Sequence, residues 1–201
     1  EELKQGHQAY FVYPLIEGEE VETDTETRVM PLKSAEEMFV FLSQQVYPEY
    51  KCALVHSKID EEQQNQTLKG FREGSIQILI ATSVVEVGVD VPNATCMVIE
   101  GAERFGLAAL HQLRGRVGRG SQQSYCFLVY NQKLSEIGKQ RMKVLHSSND
   151  GFYIAEEDLK LRGPGDINGI QQSGYFTLGI ADPINDKDIM EMAREDILSE
   201  F

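Results

Sequence analysis

The chain has 201 residues, 41% of them hydrophobic, which allows one large domain or one domain with a smaller appendage. No apolar run approaches the roughly 20 residues needed to cross a bilayer, and Glu1-Glu2-Leu3-Lys4 lacks the features of a signal peptide, so the start reads as a cut through a longer protein. The net charge of −13 argues, on the simplest reading, against a polyanionic partner.

Residues 7–16, HQAYFVYPLI, read as a buried strand. The acidic run from Glu17 to about Thr27 has no apolar periodicity and reads as a loop. Ser34, with Glu37 three residues later, makes a capping box for a helix whose apolar stripe is Met38, Phe39, Leu42 and Val46 and which ends at Pro48. Cys52–His56 is a short strand. Asp60 caps a second helix with Leu68 and Phe71 on its core face. Ile76–Ala81 reads as a strand, Ser83–Pro92 as a loop with a short helix, and Thr95–Glu100 as a strand. Leu107–Val117 reads as a helix and Ser124–Tyr130 as a strand. This alternation predicts an α/β fold, a parallel sheet with helices on both faces. Ligands of such sheets gather at the carboxyl ends of the strands, which points to the loops after Ala81 and Glu100.

After Tyr130 the pattern changes. Leu134–His146 and residues 155–162 read as two helices, followed by a turn at Gly163-Pro164-Gly165 and further glycines, which predicts a C-terminal helical hairpin and loop. A last acidic helix is expected over Asp186–Glu200. The expected division is therefore 1–132 and 133–201. Cys52, Cys96 and Cys126 lie in or beside strands without metal-ligand spacing, and read as reduced core residues of a cytosolic protein. Phe11, Phe39, Phe41 and Phe71 also read as core.

The charge is unevenly spread. Residues 101–147 hold eight Lys/Arg against two Glu, a local +6 that leaves −19 for the remainder. Within this basic segment lies Gln112-Leu-Arg-Gly-Arg116-Val-Gly-Arg119-Gly120. The spacing of Gln112, Arg116 and Arg119 predicts one shared face at a helix end. Two fixed guanidinium groups with glycines beside them suit a polyphosphate. About 20 residues earlier, the strand ending at Thr82 leads into Gly88-Val-Asp90-Val-Pro92. The Thr82 hydroxyl and amide can meet a phosphate, Gly88 allows a backbone conformation closed to other residues, and Asp90 can hold a ribose or an arginine.

These segments resemble motifs V and VI of superfamily 2 helicases. The resemblance implies a second RecA-like motor domain with ATP in the cleft against a first one. Gly88, Asp90 and Gln112 would then face the nucleotide, Arg116 and Arg119 would reach its phosphates with Arg119 the likelier finger, and Thr82 would touch the DNA backbone. His56-Ser57-Lys58 resembles a further DNA-backbone segment of the family, although Ser57 and Ile59 replace its usual Gly and Met. The stretch Glu103–Arg119 and Asp158-Leu-Lys-Leu-Arg162-Gly-Pro-Gly165 with Gln172-Ser-Gly174 resemble the RecG and Mfd branch, and Ser148-Asn-Asp-Gly-Phe152 with the proline of RGPG resembles RecG. In that family a helical hairpin with two arginines and a glutamine-bearing loop couples ATP use to duplex translocation. By position these are Arg141, Arg162 and Gln172. Gln171 stands where the family often has a basic residue, so a phosphate contact there does not carry over. His111 is expected to pack in the motif helix.

No GxxxxGK[ST] phosphate loop and no DExH segment occurs in the sequence. The resemblance assigns both, and with them Mg²⁺ and most of the grip on ATP, to a first motor domain. It implies a helicase of branched DNA, such as stalled forks and Holliday junctions, in recombination and repair. The partners implied are that first domain, a wedge domain, duplex or branched DNA and a single-stranded-DNA-binding protein, in the bacterial cytoplasm at the nucleoid. No resident metal and no membrane are expected, and the chain alone is expected to be inactive. The alternatives are a transcription–repair coupling factor of the Mfd type and a non-catalytic RecA-like binding module.

Overall fold

The computed structural model describes residues 1–14, 34–82, 90–131 and 134–166, with side chains to residue 161. The expected acidic loop at 17–27, the short helix within 83–89 and the helix over 186–200 lie outside the described residues. By compactness the chain divides into two units, Glu1–Ala155 and Glu156–Phe201.

The first unit is built on five parallel strands: β1 (Gln8–Val12), β2 (Cys52–Val55), β3 (Ile78–Ala81), β4 (Ala94–Glu100) and β5 (Tyr125–Val129), in the order β2-β3-β1-β4-β5. Helix α1 (Ala35–Phe41) follows β1, α2 (Glu61–Arg72) follows β2, and α3 (Leu107–Arg114) follows β4. From β1 the chain moves to one edge of the sheet, and every later crossover moves the other way. Right-handed crossovers therefore place α1 on one face and α2 and α3 on the other. The packing agrees. Tyr13, Ile78 and Ile80 share a buried cluster with Ala35 and Leu42, whereas Tyr10, one residue out of phase, meets Phe71 of α2 at 4.8 Å between ring centroids. Both faces of the inner strands are covered, so their sequences are continuous apolar runs rather than alternating ones.

The expected caps are present. Ser34 Oγ accepts from the Glu37 amide at 3.2 Å while the Glu37 carboxylate accepts from the Ser34 amide, and Asp60 Oδ1 accepts from the Gln63 amide at 2.9 Å. The first helix departs from expectation at its end. Leu42–Val46 is wound as a π turn, with the Tyr47 amide donating to the Leu42 carbonyl at 2.7 Å. The wider turn rotates the stripe, so Val46 leaves the core. Phe41 is also exposed, because it lies on the side of α1 shared with Glu37 and Val40 rather than with Met38 and Leu42.

Helix α4 (Glu136–Ser147) starts at its cap Ser135, and α5 (Gly151–Asp166) follows after three residues. The turn expected at Gly163-Pro164-Gly165 is not where the helix stops. The strong helix formers of residues 155–162 carry it through Asp166, past a proline that cannot donate to the carbonyl four residues back. In the second unit Lys160 pairs with Glu157 at 2.9 Å and Glu156 at 3.6 Å. The three cysteines are free and half-buried, and burial raises all three thiols, Cys126 to about 11.

Candidate nucleotide and nucleic-acid site

Helix α3 leaves the carboxyl edge of the sheet after β4 and runs back against the strand direction. Its last turn therefore falls at the amino edge, beside the start of β5. The helix stops at Arg114, with Gly115 as C-cap, rather than at Val117. Beyond it the Arg116 amide donates to the Leu113 carbonyl at 3.0 Å and the Val117 amide to the Arg114 carbonyl at 3.3 Å, a tighter winding than α. Gly118 then turns the chain at φ 78°, and a Cβ there would lie 2.6 Å from Ser124 Oγ. Arg116 and Arg119 thus sit on a turn past the helix and do not share a helix face with Gln112. The tight winding and the left-handed glycine replace the geometry on which that expectation rested.

The turn is docked. Gly120 closes on the Pro92 carbonyl, which would stand 2.8 Å from an added Cβ. Arg119 Nε donates to the Gly115 carbonyl at 2.8 Å, and Nη1 lies 3.5 Å from Asp90 Oδ2. Of the two roles open to Asp90, holding an arginine is the one the geometry displays. The Arg119 side chain is still 42% exposed, so its guanidinium is fixed at one edge and open at the other. The Nε atom of Arg116 is buried. Asp90–Asn93 precedes β4 and the arginine turn precedes β5, so both lie at the amino edge. The expectation that this chemistry gathers at the carboxyl ends of the strands is corrected. That rule describes loops leaving strands, and these arginines lie on a segment entering one.

Tyr10 and Gln8 lie under this edge. Burial raises the Tyr10 phenol to about 12, with Arg116 opposing that shift, Asp90 adding to it and Arg119 opposing it. Its hydroxyl has no hydrogen bond among the described residues. Tyr10→Phe is therefore expected to leave stability unchanged or raise it by up to about 1 kcal/mol, since it removes only a dry, unbonded group. A thermal melt showing a loss of about 1 kcal/mol or more would mean that the hydroxyl is bonded. Gln8 is 1% exposed. Its Nε2 donates to the Phe71 carbonyl at 2.5 Å and the Ile76 carbonyl at 2.7 Å, and its Oε1 accepts from Asn93 Nδ2 at 3.2 Å. Sequence reasoning passed over it, although a lone amide opening an apolar strand was the available signal.

At the opposite, carboxyl edge the register pairs Val55 with Ala81, so His56 and Thr82 emerge side by side. Both are buried, while Lys58 is exposed. His56 Nδ1 accepts from the Lys58 amide at 3.3 Å, so the ring proton sits on Nε2, 3.4 Å from Glu36 Oε1. With both nitrogens engaged, His56 shapes the loop that presents Lys58. Gln112 is exposed on α3 and Arg141 is half-buried on α4, its Nε without a hydrogen bond among the described residues. Gly88, Gln172 and the side chain of Arg162 lie outside the described residues. Among the described residues no group of three or more His, Cys, Asp or Glu is placed to hold a metal, and no helix is long and apolar enough to cross a membrane.

Residues 12–121 match the family model of the helicase conserved C-terminal domain, and residues 148–200 match that of ATP-dependent DNA helicase RecG, domain 3, C-terminal. The chain belongs to the RecG family of helicases. The ATP-dependent DNA helicase RecG of Treponema pallidum is 52% identical over 197 residues, covering 96% of this chain and 27% of that protein. The RecG of Thermotoga maritima is 47% identical, covering 98% of this chain and 24% of that protein. A RecG structure bound to a three-way DNA junction is 44% identical with a TM-score of 0.67, over 95% of this chain and 23% of that one. The helicase MrfA bound to DNA, at 20% identity, TM-score 0.53, and 79% of this chain against 22% of its own, shares the fold. The chain thus spans about a quarter of the length of the curated relatives it matches, and the match confirms the parallel sheet read from the strand and helix alternation and the RecA-like fold that the resemblance implied.

Proposed function

We propose that this chain is the second motor half and coupling element of an ATP-dependent helicase that moves on duplex DNA and remodels branched DNA in recombination and repair. Residues 1–132 would act as the motor domain and 133–201 as the coupling hairpin, loop and tail. The observation that carries the reading is Arg119, braced by Asp90 and the Gly115 carbonyl on a docked turn with its outer edge open. Such a group suits an anion delivered by a neighbouring domain. ATP would supply the transferable phosphoryl group, with Mg²⁺ and most of the phosphate grip coming from the first motor domain. This chain would contribute Arg116 and Arg119 to the phosphates and Gly88, Asp90 and Gln112 around the nucleotide. Thr82 and Lys58, at the other edge, would serve the DNA backbone, with His56 shaping the loop that presents Lys58. Separation of the two sets lets one face meet DNA while the other meets the first domain, which fits an acidic chain with only a local basic segment.

The three-way junction in the related RecG structure supports branched DNA as the substrate. A wedge domain and a single-stranded-DNA-binding protein are the further partners of this reading, in the bacterial cytoplasm at the nucleoid. The test is hydrolysis and unwinding by the full-length protein on a three-way junction against linear duplex. Arg162→Ala and Gln172→Ala are expected to keep DNA-stimulated hydrolysis within about 3-fold and to lower junction unwinding by about 10-fold or more. Unchanged unwinding in both would remove the coupling role of the tail, and a wild type without DNA-stimulated hydrolysis would remove the motor reading.

A further inference from the structure

Helix α3, which leads into the arginine turn, is also fastened at its other side. Arg114 is half-buried, and burial lowers its pKa below the usual arginine value. One of its Nη atoms donates to the Leu145 carbonyl in the last turn of α4, and the other lies 3.1 Å from His111 Nδ1, one turn back on α3. The last four carbonyls of a helix have no partner within it, so Arg114 satisfies a group that α4 itself cannot. A guanidinium cannot accept, so His111 Nδ1 is the acceptor and the ring proton sits on Nε2. That nitrogen closes on the backbone of Gly151, the first residue of α5, where an added Cβ would stand 3.0 Å from it. The linker between the helices is shaped to present this glycine. Ser148 Oγ accepts from the Asp150 amide at 3.0 Å, and Asp150 Oδ1 accepts from the Phe152 amide at 2.9 Å. The segment Ser148–Phe152, singled out in the sequence only by resemblance, therefore has a mechanical reading.

We propose that Arg114, seated on His111, is the joint that makes the arginine helix and the α4–α5 corner move as one piece. Arg114 is then a positioning residue for coupling, two residues from Arg116. The inference rests on the proposed motor function for its consequence, but not for its existence. Cutting this joint should leave the nucleotide-facing turn intact, because Arg119 is held separately by Asp90 and Gly115. What should be lost is transmission from that turn to the hairpin.

The experiment uses the full-length protein with Arg114→Ala, Arg114→Lys and Gly151→Ala. The first readout is amide hydrogen exchange. With the joint present, Arg114→Ala speeds exchange of the amides at 148–154 by about 10-fold or more and leaves β1 and β3 unchanged. The second is the ratio of junction unwinding to ATP hydrolysed. It is expected to fall by about 10-fold in Arg114→Ala with hydrolysis within about 3-fold of wild type. A lysine can reach the Leu145 carbonyl but cannot also fork to His111, so Arg114→Lys restores part of both effects. Gly151→Ala, which forces the His111 ring to shift, lowers the ratio in the same direction. Unchanged exchange at 148–154 overturns the joint, as does a proportional fall of hydrolysis and unwinding. A wild type that does not hydrolyse ATP on DNA overturns the motor function instead, and the exchange readout still decides the joint.

Discussion

Replacing Arg119 by alanine in the full-length protein is expected to lower ATP hydrolysis by about 10³-fold or more while leaving junction-DNA affinity within about 2-fold. The size follows from how the side chain is held. Its Nε is bonded to Gly115 and one Nη faces Asp90, so the open edge of the guanidinium is oriented before any phosphate arrives. A donor fixed in advance toward developing charge costs no reorganisation during the reaction, and a factor of 10³ corresponds to about 4 kcal/mol of transition-state stabilisation. Arg119→Lys is expected to recover little, because a lysine offers a point charge and cannot bridge Gly115, Asp90 and an anion at once. DNA affinity should survive because Lys58 and Thr82 lie at the other edge of the sheet. Steady-state hydrolysis and fluorescence anisotropy on a labelled junction check both halves. Turnover within about 10-fold of wild type would remove Arg119 from the phosphoryl-transfer role.

Much of this was legible in the residues themselves. The Ser34–Glu37 capping box, the Asp60 cap and the five strands follow from local signals, and the parallel sense of the sheet from the alternation of strands and helices, while the strand order was not read. The QxxGRxGR segment and GVDVP were singled out as companions, and the structure docks them together through Arg119 and Asp90 and through Gly120 and Pro92. Three matters were not legible. The helix carrying the arginines stops early because Gly115 and Gly118 admit a tighter turn and a left-handed residue, and periodicity cannot see that choice. The edge of the sheet on which the arginines sit depends on the direction in which a helix crosses it, which is a property of topology. His56 stood out only by resemblance to a DNA-backbone segment, and its burial against Glu36, 20 residues away in sequence and 3.4 Å from its ring, had no local signal. Glu36 gave no sign of this, since an acid in the first turn of a helix already has a sufficient local reason to be there.

Gln8 carries the second large effect, and it connects stability to the site. Gln8→Leu keeps the side-chain volume but removes three hydrogen bonds from a position that is 1% exposed. The bonds are not equivalent. The Phe71 carbonyl keeps the Gly74 amide and Asn93 keeps the Gly6 carbonyl, whereas the Ile76 carbonyl loses the side-chain donor facing it. With one buried acceptor stranded and two others partly compensated, a loss of about 2–4 kcal/mol is expected. Gln8→Glu should be worse than Gln8→Leu at neutral pH, because a carboxylate would face two carbonyls where the amide now donates. The damage should reach the arginine turn. Asn93 is three residues from Asp90 and is held to Gln8 twice: by its Nδ2 donating to Gln8 Oε1 at 3.2 Å, which the substitution removes, and by the Gln8 backbone amide donating to the Asn93 carbonyl at 3.0 Å, which it leaves. Slackening that anchor loosens the carboxylate that braces Arg119, so hydrolysis at a temperature where the variant is folded should still fall by about 3- to 10-fold, with a smaller change in ATP affinity. Chemical denaturation and single-turnover hydrolysis measure the two effects separately. A destabilisation below about 0.5 kcal/mol would show that the Gln8 amide does not tie the amino edge together, and the route from the first strand to the phosphate-directed arginine would go with it.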